Sequence, residues 1–342
     1  MKLAATLLSA CMIGCSLLPA VDAVDELTPA AARSAERGLS YLATNQQTDG
    51  SWRGQGEFVG IVAACSLAFM AYGHVPGSGK YGTTTAKALQ YLIRYSGGDG
   101  LLFRKGVGNN PMYHHGLAAL ALAEAWGQTG DSRLRDALKR AVDLICSIQN
   151  SRGGWRYEAN NSCGDDLSVT VMQLMALRAA KDAGMAVPKE VIDAGITYVK
   201  ACHNGRGKGR DGGFTYGMYA SESGWARTGA GITSLQVAGN YKANEVSEGV
   251  EYLMTFKPVG AKTENDNWAY GSYYTTMGMY QAQSLGAWGK KAWSQFYPAM
   301  TAWVIGRQKP DGRWDDGPPV YATAMPLLVL AIPCRYLPIY QR

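Results

Sequence analysis

A phrase of sequence returns about every fifty residues, and this periodicity restricts the fold more than any other property of the chain. Its fullest forms are Gln47-Thr48-Asp49-Gly50-Ser51-Trp52, Gln149-Asn150-Ser151-Arg152-Gly153-Gly154-Trp155 and Gln308-Lys309-Pro310-Asp311-Gly312-Arg313-Trp314. Looser copies are Gly98-Asp99-Gly100-Leu101-Leu102-Phe103 and Asp211-Gly212-Gly213-Phe214, and a degraded sixth ends at Asn267-Trp268. The aromatics fall at positions 52, 103, 155, 214, 268 and 314. A unit of this length holds a pair of helices, cannot bury its apolar face alone, and must stack on its neighbours.

The two helices of each unit differ in character. Between Arg133 and Gln149, apolar Leu134, Leu138, Val142, Ile145 and Ile148 recur at helical spacing, with Arg135, Asp136, Lys139 and Asp143 between them. The spacing predicts an amphipathic helix before the turn. Its equivalents are Arg33–Gln47, Thr84–Tyr95, Pro188–His203, Asn244–Phe256 and Lys290–Gln308. After each turn comes a helix apolar nearly all round: Gly60–Met70, Gly116–Trp126, Leu167–Ala180, Gly229–Ala238, Thr275–Leu285 and Ala322–Ile332. The apolar helices belong inside and the amphipathic ones outside, with a wet back. An open stack would need polar outer faces on its terminal repeats. Here the first and last repeats carry the fullest motif and the last inner helix is apolar. The expected fold is therefore all-α, a closed (α/α)6 toroid of six helix hairpins, forming one domain over residues 24–342.

Apolar residues make up 47% of the chain and charged residues 18%, which excludes a disordered protein. The 33 Lys and Arg are scattered, with Arg206-Gly207-Lys208-Gly209-Arg210 the densest run. No basic stripe suited to nucleic acid results, so none is expected as a partner. Residues 1–23 read as a signal peptide, with Lys2, an apolar run from Leu3 to Leu18, and small residues at Val21-Asp22-Ala23. Export to the periplasm or the extracellular space is the expectation. Met12-Ile13-Gly14-Cys15 is a degenerate lipid-attachment motif, so a lipid tether at Cys15 is the alternative. No later run reaches the ~18 apolar residues of a membrane span. Cys65, Cys146, Cys163, Cys202 and Cys334 are odd in number and form no disulfide scaffold.

The Gln-x-x-Asp-Gly-x-Trp repeats resemble the QW motifs of squalene and hopene cyclases, whose α/α toroid is shared by protein prenyltransferases and the complement thioester domain. The segments Met112–Ala125 and Gly153–Tyr157 resemble those of secreted bacterial prenyltransferase/squalene oxidase repeat proteins. The resemblance covers essentially all the chain after residue 23. It implies the fold strongly and the function weakly, because one fold hosts many chemistries. Squalene-hopene cyclases protonate their substrate with an Asp-x-Asp-Asp motif at the mouth of an inner helix. Cys163-Gly164-Asp165-Asp166 is its match here, with Asp165 in the place of the protonating acid and Cys163 replacing the first aspartate. Those cyclases use two toroid-like domains, and this chain has one. The zinc of the prenyltransferases needs an Asp, a Cys and a His; Cys202-His203 has no third ligand, so neither metal nor cofactor is expected.

All six connections from outer to inner helix fall on one face of a closed toroid, around the mouth of its cavity. They carry the candidate catalytic residues Asp165, Asp166, His114 and His115. Two close carboxylates share a proton, although Asp166 also suits the N-cap of a helix starting at Leu167. A histidine supplies a base near neutral pH, and of two neighbours at most one need face the cavity. Candidate substrate-binding residues are Tyr113, Tyr157, Trp225, Arg227, Tyr273, Tyr274, Asp315, Asp316 and Tyr321, with Arg104, Lys105 and Tyr270 on the same face. Solvated loop acids are the simpler account of Asp315 and Asp316. Six inner-helix N-termini also favour an anionic group such as a carboxylate or phosphate. The leading expectation is an isoprenoid or other hydrophobic ligand, bound or transformed by acid-initiated chemistry. A carbohydrate-active enzyme would instead present two carboxylates about 5–10 Å apart. A non-catalytic interaction module would present a filled core and an exposed apolar patch.

Overall fold

The computed structural model describes residues 27–54, 58–162, 164–207, 209–256, 268–315 and 317–341. The expected signal peptide, Cys15, Cys163, Asp316 and the turn ending at Asn267 lie outside the described residues. Twelve α-helices alternate along the described chain. The outer set is α1 (Pro29–Thr44), α3 (Gly82–Arg94), α5 (Ser132–Ser147), α7 (Lys189–Ala201), α9 (Asn244–Met254) and α11 (Ala287–Gly306). The inner set is α2 (Val59–Met70), α4 (Pro111–Thr129), α6 (Leu167–Asp182), α8 (Trp225–Val237), α10 (Trp268–Gln281) and α12 (Pro319–Ala331). Each inner helix packs beside the next, and α12 returns to pack on α2, so the ring is closed. Every residue of α2 and of α10 is buried, whereas α5 buries one face of Leu134, Leu138, Ala141, Val142 and Ile145. A short antiparallel ribbon, β1 (Arg206–Gly207) with β2 (Arg210–Asp211), decorates the fourth turn. No described helix is long and apolar enough to cross a membrane.

At the first, third and sixth turns the repeated motif ties one outer helix to the next. Gln149 donates from Nε2 to Gly153 O at 2.8 Å within its own turn and to Val191 O of α7 at 2.9 Å. Gln308 does the same to Gly312 O and to Ser34 O of α1, each at 2.8 Å, so the sixth turn grips the first helix. In the first repeat the residue in this role is Gln46, bonded to Gly50 O and Thr84 O, rather than Gln47. The indoles of Trp52, Trp155 and Trp314 each donate to a carbonyl ten residues earlier, on the last turn of the preceding outer helix. Gly50, Gly100, Gly153 and Gly312 all have φ between +86° and +95°. A Cβ there would also lie 2.2–2.4 Å from a carbonyl oxygen of the next outer helix. Only glycine meets both conditions. In the second repeat the buried residue two positions after this glycine is Leu102, not Phe103.

Inner helices start earlier than their sequence pattern predicts. α4 begins at Pro111, α8 at Trp225 and α10 at Trp268. Proline suits the first helical position because its missing N–H has no partner there anyway. Tyr113, His114, His115, Trp225, Arg227, Tyr273 and Tyr274 therefore stand on the inner helices and not in connecting loops. After α12 the chain turns through short 3-10 segments at Ile332–Cys334 and Pro338–Tyr340, and Leu337, Ile339 and Tyr340 are buried.

Candidate functional site

A cavity of about 670 Å³ opens at the N-terminal end of the inner helices. Each of the six inner helices or its leading residue contributes a wall: Ile61, Tyr113 and Leu117, Asp166 and Met172, Arg227, Trp268 and Tyr270, and Tyr321. Two tyrosines from the connections, Tyr157 and Tyr216, complete it. The walls are largely aliphatic and aromatic, with the polar groups gathered near the helix starts.

The neighbouring aspartates face different surroundings. Asp165 is turned to the outer layer, where its carboxylate accepts from Arg152 Nη1 at 3.0 Å and from the Tyr198 hydroxyl at 3.1 Å. It does not line the cavity. Asp166 does, and it is fully buried. Its Oδ1 caps α6, accepting the Ser168 N–H at 2.7 Å and the Ser168 hydroxyl. Its Oδ2 makes no hydrogen bond of ordinary length, and the Tyr157 and Tyr216 hydroxyls are the donors that neighbour this carboxyl group. Capping and a site on the cavity wall thus coexist in one carboxyl group, one oxygen for each. Tyr113 sits 3.0 Å from Ser168 Oγ. Because the Ser168 proton is directed at Asp166, the Tyr113 hydroxyl is the donor in that pair.

Both histidines are tied to the backbone. His114 lines the cavity, but its Nδ1 accepts the Gly60 N–H at 3.2 Å and its Nε2 lies 3.1 Å from Asn109 O. That arrangement fixes a neutral ring with the proton on Nε2, and burial lowers its pKa. His115 points away from the cavity, and its Nδ1 accepts the Leu102 N–H at 3.1 Å. Thr170, Thr228 and Thr323 take the equivalent N–H of Trp155, Phe214 and Trp314 in other repeats. His115 is thus the second repeat's version of a turn-fixing threonine, and burial pulls its pKa down to about 4. Neither histidine is a free base.

Tyr113 stacks on Tyr157 at 5.9 Å, and the Tyr157 hydroxyl bonds that of Tyr216. Burial raises the pKa of all three phenols, with the Asp166 charge adding to it, so they remain neutral donors. Arg227 lines the wall, with Nη2 reaching the Glu222 carbonyl at 3.5 Å and Nε buried without a partner. Trp225 is instead packed against α10 at Gly271, and Tyr273 and Tyr274 lie deeper in the core. Asp315 pairs with Lys309 at 3.2 Å, away from the cavity. Sequence reasoning passed over Tyr216 and Ser168. Tyr216 follows the Gly212-Gly213-Phe214 turn at the spacing of Tyr157 after Gly153-Gly154-Trp155, and that parallel was the available signal.

No protein-family model matches this sequence, and no curated protein sequence matches it either. Solved structures do share the fold. The type II terpene cyclase MstE of Scytonema, in complex with geranylgeranyl dihydroxybenzoate, matches at a TM-score of 0.58 and 16% identity, covering 92% of this chain and 99% of its own. A glycoside hydrolase family 76 mannosidase of Bacteroides thetaiotaomicron matches at 0.61 and 11% identity, covering 88% and 96%. The cellobiose 2-epimerase of Bacillus thermoamylovorans matches at 0.61 and 13% identity, covering 87% and 98%. The chain has the α/α-toroid fold of terpene cyclases and of sugar-acting enzymes alike.

Proposed function

We propose that the toroid binds an isoprenoid-like chain with a polar or anionic end and starts its cyclisation by proton transfer from Asp166. The observation that carries this reading is one fully buried carboxyl group on an apolar, aromatic cavity, with Oδ1 occupied by Ser168 donors and Oδ2 making no hydrogen bond of ordinary length. When Asp166 is protonated, the proton belongs on Oδ2, since Oδ1 already accepts two hydrogen bonds. Transfer of that proton to a terminal alkene carbon forms a C–H bond and leaves a carbocation. The next alkene closes a C–C bond onto it, and loss of a proton to water leaves an isomer of the substrate. Tyrosine and tryptophan faces along the walls stabilise the cation, and Arg227 suits an anionic end.

MstE lends support as a toroid that holds a geranylgeranyl compound. A glycosidase reading needs a second carboxylate across the cavity, and Asp166 is the only one lining it among the described residues. The apolar run Leu3–Leu18 behind Lys2 supports export of the protein.

The test is incubation with a series of isoprenoid acids and alcohols in deuterium oxide. The expected product is isomeric with the substrate and carries one new deuterium on carbon, and Asp166→Asn makes about 10³-fold less of it. Turnover by Asp166→Asn equal to wild type would sink the acid assignment. Conversion of oligosaccharides, with no isoprenoid bound or changed, would move the function to sugars.

A further inference from the structure

Beneath the cavity the ring is not hollow. α10 carries Tyr270 at the cavity wall and, one turn deeper, Tyr273 and Tyr274, about 5 Å farther along the axis. Tyr270 packs on Tyr274 with ring centres 4.5 Å apart, and Tyr274 on Tyr273 at 5.0 Å. Tyr273 in turn meets Tyr340 at 6.5 Å. Tyr340 belongs to no helix of the ring. It comes from the segment after α12, which re-enters the molecule at the end opposite the mouth.

Three hydrogen bonds place that segment. The Tyr340 hydroxyl donates to the Tyr273 hydroxyl at 3.4 Å, and the Ile339 N–H to Glu124 Oε1 at 3.1 Å. Gln281 Nε2 donates to Ile339 O at 3.5 Å. Only the bond to Glu124 is of ordinary length, so the burial of Leu337, Ile339 and Tyr340 does most of the holding. Glu124 lies on α4 two turns beyond Leu117, a cavity residue, and so about 10 Å deeper. The Tyr274 hydroxyl, whose ring packs between those of Tyr270 and Tyr273, is buried without a hydrogen-bond partner.

We propose that Leu337–Tyr340 plugs the ring beneath the cavity, behind the Tyr270–Tyr274–Tyr273 stack, and that the Tyr340 ring, by backing that stack, limits how long a chain the toroid accepts. The proposal rests on the reading of the cavity as an apolar-chain site. Tyr340 is a positioning residue, remote from Asp166. Replacing its side chain by a methyl group removes no inner-helix residue and opens space beside Tyr273.

The experiment is calorimetric titration of wild type, Tyr340→Ala and Tyr340→Phe with straight-chain fatty acids from octanoate upward. Wild-type affinity is expected to rise roughly fourfold per methylene and to stop rising at a limiting length. Tyr340→Ala moves that limit outward by about three methylenes, while Tyr340→Phe keeps it. An unchanged limit in Tyr340→Ala overturns the plug and leaves the chain site standing. Absence of binding at every length by all three proteins overturns the chain site and the plug with it. Should Tyr340→Ala fail to fold, Tyr340→Leu takes its place, with an expected shift of about one methylene.

Discussion

Two buried carboxyl groups at opposite ends of the ring interior share one bonding pattern and differ in what lies beside them. Asp166, at the mouth, gives Oδ1 to the Ser168 N–H and leaves Oδ2 without a hydrogen bond of ordinary length. Glu124, near the closed end, gives Oε1 to the Ile339 N–H and leaves Oε2 unpartnered. The first borders a cavity of about 670 Å³, whereas the second is sealed under Leu337–Tyr340. Burial pushes Glu124 up to about 8, so it keeps its proton at neutral pH. An unpartnered buried oxygen is therefore not in itself a mark of chemistry. On the proposed function, the empty space beside Asp166 sets it apart from Glu124, a structural group whose effect is read in stability.

Substitution at each end tests that contrast. The largest effect belongs to Asp166→Asn, with turnover down about 10³-fold, or roughly 4 kcal/mol of barrier. Its melting temperature stays close to wild type, because asparagine also caps a helix. A fall in melting temperature large enough to account for the lost turnover would make Asp166 a structural group and remove its role as the acid.

Glu124→Gln should do the reverse, leaving turnover alone and changing the pH dependence of unfolding. The folded protein holds the Glu124 proton up to about 8, while the unfolded chain releases it near the ordinary 4.5. The native state thus binds more protons across that window, and wild-type stability falls as pH rises through it, by up to about 1.4 kcal/mol per pH unit. Glutamine removes this slope, so the variant should gain on wild type between pH 5.5 and pH 8 in calorimetric melts. Comparing the pair cancels His115, whose lowered value works the other way and costs stability as pH drops from 6.5 toward 4. A constant difference across the range would remove Glu124 from the argument.

A smaller loss is expected of Asp165→Asn, about 1–3 kcal/mol in denaturant unfolding, from the weakened contacts to Arg152 and Tyr198. Its turnover should hold, and a 10³-fold fall there would transfer the acid's role to Asp165. Smallest of all is His115→Thr, within about 1 kcal/mol of wild type. Threonine supplies the acceptor that Leu102 N–H needs, as it does in three other repeats. His115→Ala, which leaves that N–H unmet, should cost about 2 kcal/mol by the same measurement.

The ring was legible in the sequence because a repeat states its own contacts several times over. Its register was less so. Adjacent Gln46 and Gln47 offer two readings of one turn, as do Leu102 and Phe103 of another, and packing against the next outer helix decides between them. Inner-helix starts escaped the pattern because Pro111, Trp225 and Trp268 open first turns rich in Gly, Tyr and His, where no apolar period is visible. The start of α6 likewise hides which of Asp165 and Asp166 faces the cavity. Which one meets the cavity depends on the direction of two side chains at a helix start, and Arg152 and Tyr198 capture the other. The likeness to an Asp-x-Asp-Asp motif gives the acid's place to Asp165, whereas the carboxyl group that lines the cavity is that of its neighbour Asp166.

The grip of Gln308 on Ser34 joins residues 274 apart in sequence. A chain emerging from synthesis therefore has two raw flanks, on the first and the latest repeat, until the sixth arrives to cover both. Folding of the ring should be slow in proportion to that late closure. Once shut, the ring shows the same clasp at its closing sixth turn as at its first and third, so closure is no weaker a seam than those two. Joining residues 27 and 341 through a linker and cutting the backbone between α7 and α8 would give a molecule with the same clasped neighbours and a different order of assembly.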